Sequence, residues 1–235
     1  MTHDHDDARY LAFVARDARY DGQFFVAVKT TGIFCRPVCT VRKPLRRNVV
    51  FYPSAAAAFE AGFRPCLRCR PELAPDLARS LGAASYLQRA VRLIADGALD
   101  HGSLTALARR IGVTDRHLRR LFEQHLGASP IAVAQMRRLL FAKQLIEQSR
   151  LPLVDVAIAA GYGTVRRFNA AVQGAYARTP SALRSTASGV AAQRDARGDA
   201  SLELQLAHVG PLAWEAMLGY LRGRAFAGLE TMDAG

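Results

Sequence analysis

All four cysteines of this 235-residue chain fall in two short pairs, Cys35 and Cys39 with three residues between them and Cys66 and Cys69 with two. Few folds satisfy that layout. Each pair clamps one side of a tetrahedral ion and the basic, apolar segment between them closes the loop, so the spacing predicts one tetrathiolate Zn2+ site with Cys35, Cys39, Cys66 and Cys69 as ligands. Two disulfides or free structural cysteines are the alternatives. Disulfides need an oxidising compartment, and the start Met1-Thr-His-Asp-His-Asp-Asp is acidic, with no basic and then apolar leader. A reduced, cytoplasmic protein is therefore expected.

Charge narrows the partner. Lys and Arg number 32 against 20 Asp and Glu, a formal net charge of +12, which points to a polyanion and first to double-stranded DNA. Arginine supplies most of that charge, and its planar fork suits phosphates and guanine edges. No apolar run approaches the length of a membrane span, so no membrane partner is expected. The 50% hydrophobic content fills ordinary small cores.

Residues 1–75 are predicted to form a small α+β domain stapled by metal. A short amphipathic helix is expected from about Asp6 to Asp17, a strand over Gln23 to Lys29 and a second over Asn48 to Tyr52. Pro53 ends that strand, Ser54 caps an alanine-rich helix through Ala61, and Gly62 stops it before the second cysteine pair. So small a core makes zinc binding part of the folding free energy. Pro71 and Pro75 mark a boundary.

Residues 80–186 are predicted to be all-α. A helix runs from Ser85 to about Asp96, and a second begins after Ser103. Gly112 then makes a turn, Thr114 caps, and Asp115 to His125 forms another amphipathic helix, together a helix-turn-helix. Leu118, Leu121 and Phe122 face the core; Asp115, Arg116, Arg119 and Arg120 lie on the DNA side. After a long helix from Ile131 to about Gln148 the grammar repeats. Pro152 to Ala160 is the first helix, Gly161-Tyr162 the turn, and Thr164 to Val172 the second, offering Thr164, Arg166 and Arg167 to DNA. The phrases Gly127-Ala128-Ser129-Pro130 and Ala177-Arg178-Thr179-Pro180 close the two units. Two recognition helices on one chain can enter successive major-groove turns as a monomer. His117 and His125 read as DNA-facing or capping residues. Ser185 to Ala200 lacks large apolar side chains and is predicted as a flexible linker, with 187–200 its proper extent. Residues 201–235 make a short incomplete β-α tail, a strand at Leu202–Ala207 and a helix from Trp214 to about Arg224.

The phrases Thr31-Gly-Ile-Phe-Cys35-Arg-Pro-Val-Cys39, Asn48-Val-Val-Phe-Tyr52 and Gly62-Phe-Arg-Pro-Cys66-Leu-Arg-Cys69 closely resemble the N-terminal domain of the Ada adaptive-response regulators. Ser103 to Leu183 resembles the AraC-family DNA-binding domain that such regulators carry. The resemblance implies that Cys35 is nucleophile and zinc ligand together, taking a methyl group irreversibly from a DNA methylphosphotriester. It implies a transcriptional activator of alkylation-repair genes with RNA polymerase as a further partner. Thr31, Arg42, Arg46, Arg47 and Arg64 are the candidates for orienting the DNA backbone, with Thr31 and Arg64 inside the strongest match. Charge counting adds a switch: four thiolates on zinc leave about −2, and methylating one leaves about −1, so affinity for phosphate rises.

The sequence departs from the full Ada pattern. It holds no Pro-Cys-His-Arg phrase, so no O-methylguanine transfer is expected. Leu202–Ala207 and Pro211 to Ala225 instead resemble the opening of the AlkA-type glycosylase N-terminal domain, with no catalytic aspartate following, so no glycosylase activity is expected. Two alternatives stand beside the repair reading: a non-enzymatic AraC-type regulator with a purely structural zinc site, and a truncated Ada–AlkA fusion.

Overall fold

Strand β1 (Phe25–Val28) is buried on both faces and lies inside the sheet of the first domain. The computed structural model describes residues 2–75, 86–191 and 213–222. β1 pairs antiparallel with β2 (Ile33–Cys35) and with β3 (Val49–Tyr52), while β2 pairs in parallel with β4 (Arg64–Pro65), giving the order β3-β1-β2-β4. Val26, Val28, Cys35, Val49 and Phe51 line one sheet face with Phe13 of α1 (Thr2–Ala15). Phe25, Ala27 and Phe34 line the other, against α2 (Ala55–Glu60). A strand sandwiched between two layers has no solvent side, which is why its sequence does not alternate.

Helices α3 (Tyr86–Ala95), α4 (Leu104–Ile111), α5 (Asp115–Leu126), α6 (Pro130–Gln148), α7 (Leu153–Ala159), α8 (Val165–Tyr176) and α9 (Pro180–Ala191) follow. The two halves repeat the same devices. Thr114 and Thr164 accept a hydrogen bond from the N–H of His117 and Arg167 at the starts of α5 and α8, and Ser129 and Thr179 do the same before Pro130 and Pro180. Leu118 and Phe122 in α5, and Phe168 and Val172 in α8, are fully buried. Asp100 joins the units: its carboxylate pairs with Arg137 at 2.8 Å and Arg138 at 3.5 Å, and lies so close to Gly161 that a Cβ there would stand 2.3 Å from it.

Several expectations shift. The predicted linker is helical to Ala191, because Thr179 caps and Pro180 opens α9 with Leu183 buried beneath it; the rest of it, and the predicted strand at Leu202–Ala207, lie outside the described residues. The helix predicted from Trp214 is present as α10 (Trp214–Arg222). Pro71–Leu73 forms a 3-10 turn packed on α6. Among the described residues no helix is long and apolar enough to cross a membrane.

One hydroxyl joins the sheet domain to the first helix-turn-helix. Ser54 Oγ accepts from Ala57 N at 3.0 Å, capping α2, and donates to Leu126 O at 2.8 Å, at the end of α5. Ser54 is 2% exposed, so its loss leaves buried groups unmatched. Ser54→Ala is expected to lower unfolding free energy by about 2 kcal/mol, read as a lower urea midpoint at unchanged slope.

Candidate metal centre and nucleic-acid interface

Parallel pairing of β2 with β4 carries the two cysteine pairs to one point. Cys66 N donates to Phe34 O at 3.0 Å, bringing Cys66 beside the end of β2, where Cys35 sits. Cys39 and Cys69 return through tight turns, the first closed by Cys39 N to Arg36 O at 3.1 Å. The four sulfurs lie within 4.8 Å of one another, and all four cysteines are unbonded to each other. A tetrahedral zinc with Zn–S bonds of about 2.3 Å needs S···S edges of about 3.8 Å, so the cluster fits a single ion with small adjustment.

Crowding divides the protons of the four thiols unequally. Hydrogen bonding with Cys39, then Cys66 and Cys69, with burial behind them, pushes the Cys35 thiol up. Bonds from Cys35, Cys39 and Cys69 hold Cys66 far below the ordinary thiol range, and the bond with Cys35 helps bring Cys39 to about 7. Four sulfurs at this spacing cannot all ionise without a cation among them.

Two basic side chains brace the cluster from behind. Arg36 N donates to Cys69 Sγ at 3.3 Å and its Nη1 to Cys69 O at 3.1 Å, while Nε and Nη2 bind the buried carboxylate of Asp21. Lys43 Nζ donates to Phe13 O and to Cys39 O and stands 4.0 Å from the Phe13 ring centroid, tying α1 to the metal loop. Sequence reasoning passed over both. Their signal was positional only, a cation inside or just beyond the first cysteine pair.

The predicted DNA-facing residues divide. Thr31, Arg42, Arg47 and Arg64 are exposed, and Arg64 N donates to Gly32 O at 2.7 Å, so Thr31 and Arg64 meet at one sheet edge. Arg46 is engaged: its Nε donates to Asp7 at 2.8 Å and its guanidinium lies over Phe51 at 5.4 Å. Asp115 is engaged too, accepting from Thr105 Oγ1 at 2.8 Å, so it ties α4 to α5. Arg116, Arg119 and Arg120 on α5, Arg166 and Arg167 on α8, and Thr164 at its cap are exposed. Arg120 reaches the ring of half-buried His117 at 3.5 Å. Asn169 and Gln173 share the exposed face of α8 with Arg166; helical spacing alone would have found them.

A four-thiol metal domain joined to a double helix-turn-helix module is the class of protein these features define. Residues 8–72 match the family described as the metal binding domain of Ada, and residues 107–186 match a helix-turn-helix domain family. A probable bifunctional transcriptional activator/DNA repair enzyme AlkA of Mycobacterium tuberculosis is 42% identical over 99% of this chain and 47% of its own length. The bifunctional transcriptional activator/DNA repair enzyme AdaA of Bacillus subtilis is 31% identical over 76% of this chain and 82% of its own. That named Ada from Escherichia coli is 44% identical over 57% and 36%. The chain belongs to the Ada family of bifunctional transcriptional activators and DNA repair enzymes, and it spans about half the length of the mycobacterial relative.

Because the ligands bind as thiolates, metal retention should fall as pH falls. Titrating the folded chain with a mercurial in the presence of a chromogenic chelator is expected to release one zinc per chain, and Cys66→Ser to abolish the tight site.

Proposed function

We propose that this chain takes a methyl group from a methylated phosphate of double-stranded DNA onto Cys35, keeps it as a thioether, and then activates alkylation-repair genes through its two recognition helices. The gathering of four thiols, Cys35 among them, in the domain that matches the Ada metal-binding family carries this reading. A bound zinc would hold the sulfurs as thiolates that remain nucleophilic. A lone pair on Cys35 Sγ attacks the methyl carbon in line with the methyl–oxygen bond. That bond breaks, its electrons leave on the phosphate oxygen, and an ordinary phosphodiester anion remains. No proton moves, so positioning supplies most of the rate.

Thr31 and Arg64 at the sheet edge, with Arg42 and Arg47, orient the backbone. Arg46 acts from behind, through Asp7 and Phe51. The thioether is permanent, so each chain turns over once, and the centre falls from about −2 to about −1 in charge, raising affinity for phosphate. Two recognition helices on one chain let a monomer cover successive major-groove turns, and activation requires a contact with RNA polymerase. No glycosylase activity is proposed for these residues.

Cys35 is 2% exposed, which favours a second reading, a closed structural zinc site in a non-enzymatic regulator. One measurement separates them. Zinc-loaded chain is incubated with duplex carrying methyl phosphotriesters and its peptides are weighed. One methyl on the Cys35 peptide, absent in Cys35→Ala, is expected; an unmethylated chain, or a methyl on the Cys69 peptide, rejects the assignment.

The two halves should also separate by substitution. Arg119→Ala or Arg166→Ala is expected to weaken binding to a promoter by about 1–3 kcal/mol and relax its sequence preference. Arg64→Ala should slow methyl transfer with that preference unchanged.

A further inference from the structure

Beyond the proposed function, and whether or not Cys35 accepts a methyl group, the contact between the two domains holds a buried cluster of charges. Lys143, in the middle of α6, is fully buried, and its ammonium donates to Glu72 Oε1 at 2.5 Å and to Glu147 Oε2 at 2.8 Å. Arg70 completes a quartet, 3.1 Å from Glu72 and 3.5 Å from Glu147. Two cations and two carboxylates balance, and they straddle the boundary: Arg70 and Glu72 follow Cys69, whereas Lys143 and Glu147 belong to the helix that spans the two helix-turn-helix units.

We propose that Lys143 is a positioning residue that fixes the register of the metal domain on the double helix-turn-helix module, so that metal occupancy sets the geometry of DNA reading. The Ser54 to Leu126 bond holds the domain at the end of α5 and not along α6. Against α6 the α2 surface offers methyl groups from Ala55, Ala56, Ala57 and Ala58, all buried, which can slide along α6 with little change in packing. Charges cannot. A buried ion quartet adds little net stability over an apolar one, yet its four charges meet in one arrangement only.

The quartet reads the metal centre at one end and the recognition helices at the other. Between Cys69 and Glu72 the chain has little freedom: Arg70 sits at φ +53° and Pro71 is locked by its ring. Where Cys69 is held, Glu72 follows. On the far side, α8 packs against β4 of the metal domain, and Tyr176 at the end of α8 is buried, its hydroxyl without a hydrogen-bond partner among the described residues and pushed up in pKa by burial and then by the Glu72 and Glu147 carboxylates. The end of α5 is held in parallel by the Ser54 to Leu126 bond and by Pro53 and Ala57 against Gly127. The metal domain thus touches the C-terminal ends of both recognition helices.

The test uses the full, zinc-loaded chain and a duplex selected by the unaltered protein from random-sequence DNA. Lys143→Met is expected to keep one zinc per chain, to bind unselected DNA as before, and to lose about tenfold in affinity for the selected duplex, as follows if the competent register falls to about a tenth of the population. Its hydroxyl-radical footprint should lose the protection given by the metal domain, and Lys143→Arg should restore both readouts. A merely stabilising lysine would lower the unfolding temperature and leave affinity and footprint unchanged in the folded protein. That outcome overturns the proposal. Should Lys143→Met fail to fold, Glu72→Gln, equal in size but uncharged, carries the same expectation, and unchanged affinity and footprint there overturn it equally.

Discussion

Convergence of the four cysteine sulfurs is the constraint on which the remaining structure depends. Bringing Cys66 beside Cys35 requires β4 to lie parallel to β2, and parallel strands need a crossover between them. Residues 36–63 provide it. They return as β3 on the far edge of the sheet and as α2 across one face, so the segment that closes the metal loop also builds the surface that meets the helical module. Lys43 and Arg36 then fix the turn around Cys39, one to α1 and one to Asp21. A metal domain of this size gains stability from the ion, and through α2 and Glu72 that stability reaches α6.

The sequence made the metal site plain because cysteine chemistry is local: ligand type and spacing survive translation into coordinates. The caps read from the sequence, Ser54 and Thr114, each accept from an N–H three residues on, and Ser103, Ser129, Thr164 and Thr179 do the same. Strands β2 and β4 went unseen. They are three and two residues long and lie inside the cysteine phrases, where no period of two can be counted. The helical start of the predicted linker was missed because α9 has few large side chains to give a stripe, although its cap was in view. Arg46 and Asp115 show a different limit: exposure can be guessed from a pattern, but a partner at Asp7 or Thr105 is set by packing.

The inter-domain contact was the least visible feature, and its reason is general. Alanine-rich helices carry no directional signal, and a charged residue such as Lys143 reads as solvent-facing unless both its partners are known. Burial of Lys143 becomes intelligible only when Glu72, 71 residues earlier, is placed beside it.

Comparing the ends of the two recognition helices shows the same contact from another side. Both α5 and α8 finish in the left-handed region, at Gly127 with φ +62° and at Ala177 with φ +52°. A glycine accepts that conformation without strain, whereas an alanine there costs about 1–2 kcal/mol. Equivalent positions of a repeat would be expected to share a solution, yet they do not. Ala177 is exposed and has only backbone strain to bear. At Gly127 a Cβ would also stand 3.3 Å from Pro53 and from Ala57 of the metal domain, closer than packed side chains ordinarily lie. At the end of α5 the docked metal domain thus adds a steric demand to the backbone one, and a glycine meets both without strain. At the exposed Ala177 the backbone demand stands alone, so the two otherwise matching units end on different residues for a reason that lies in what packs against them.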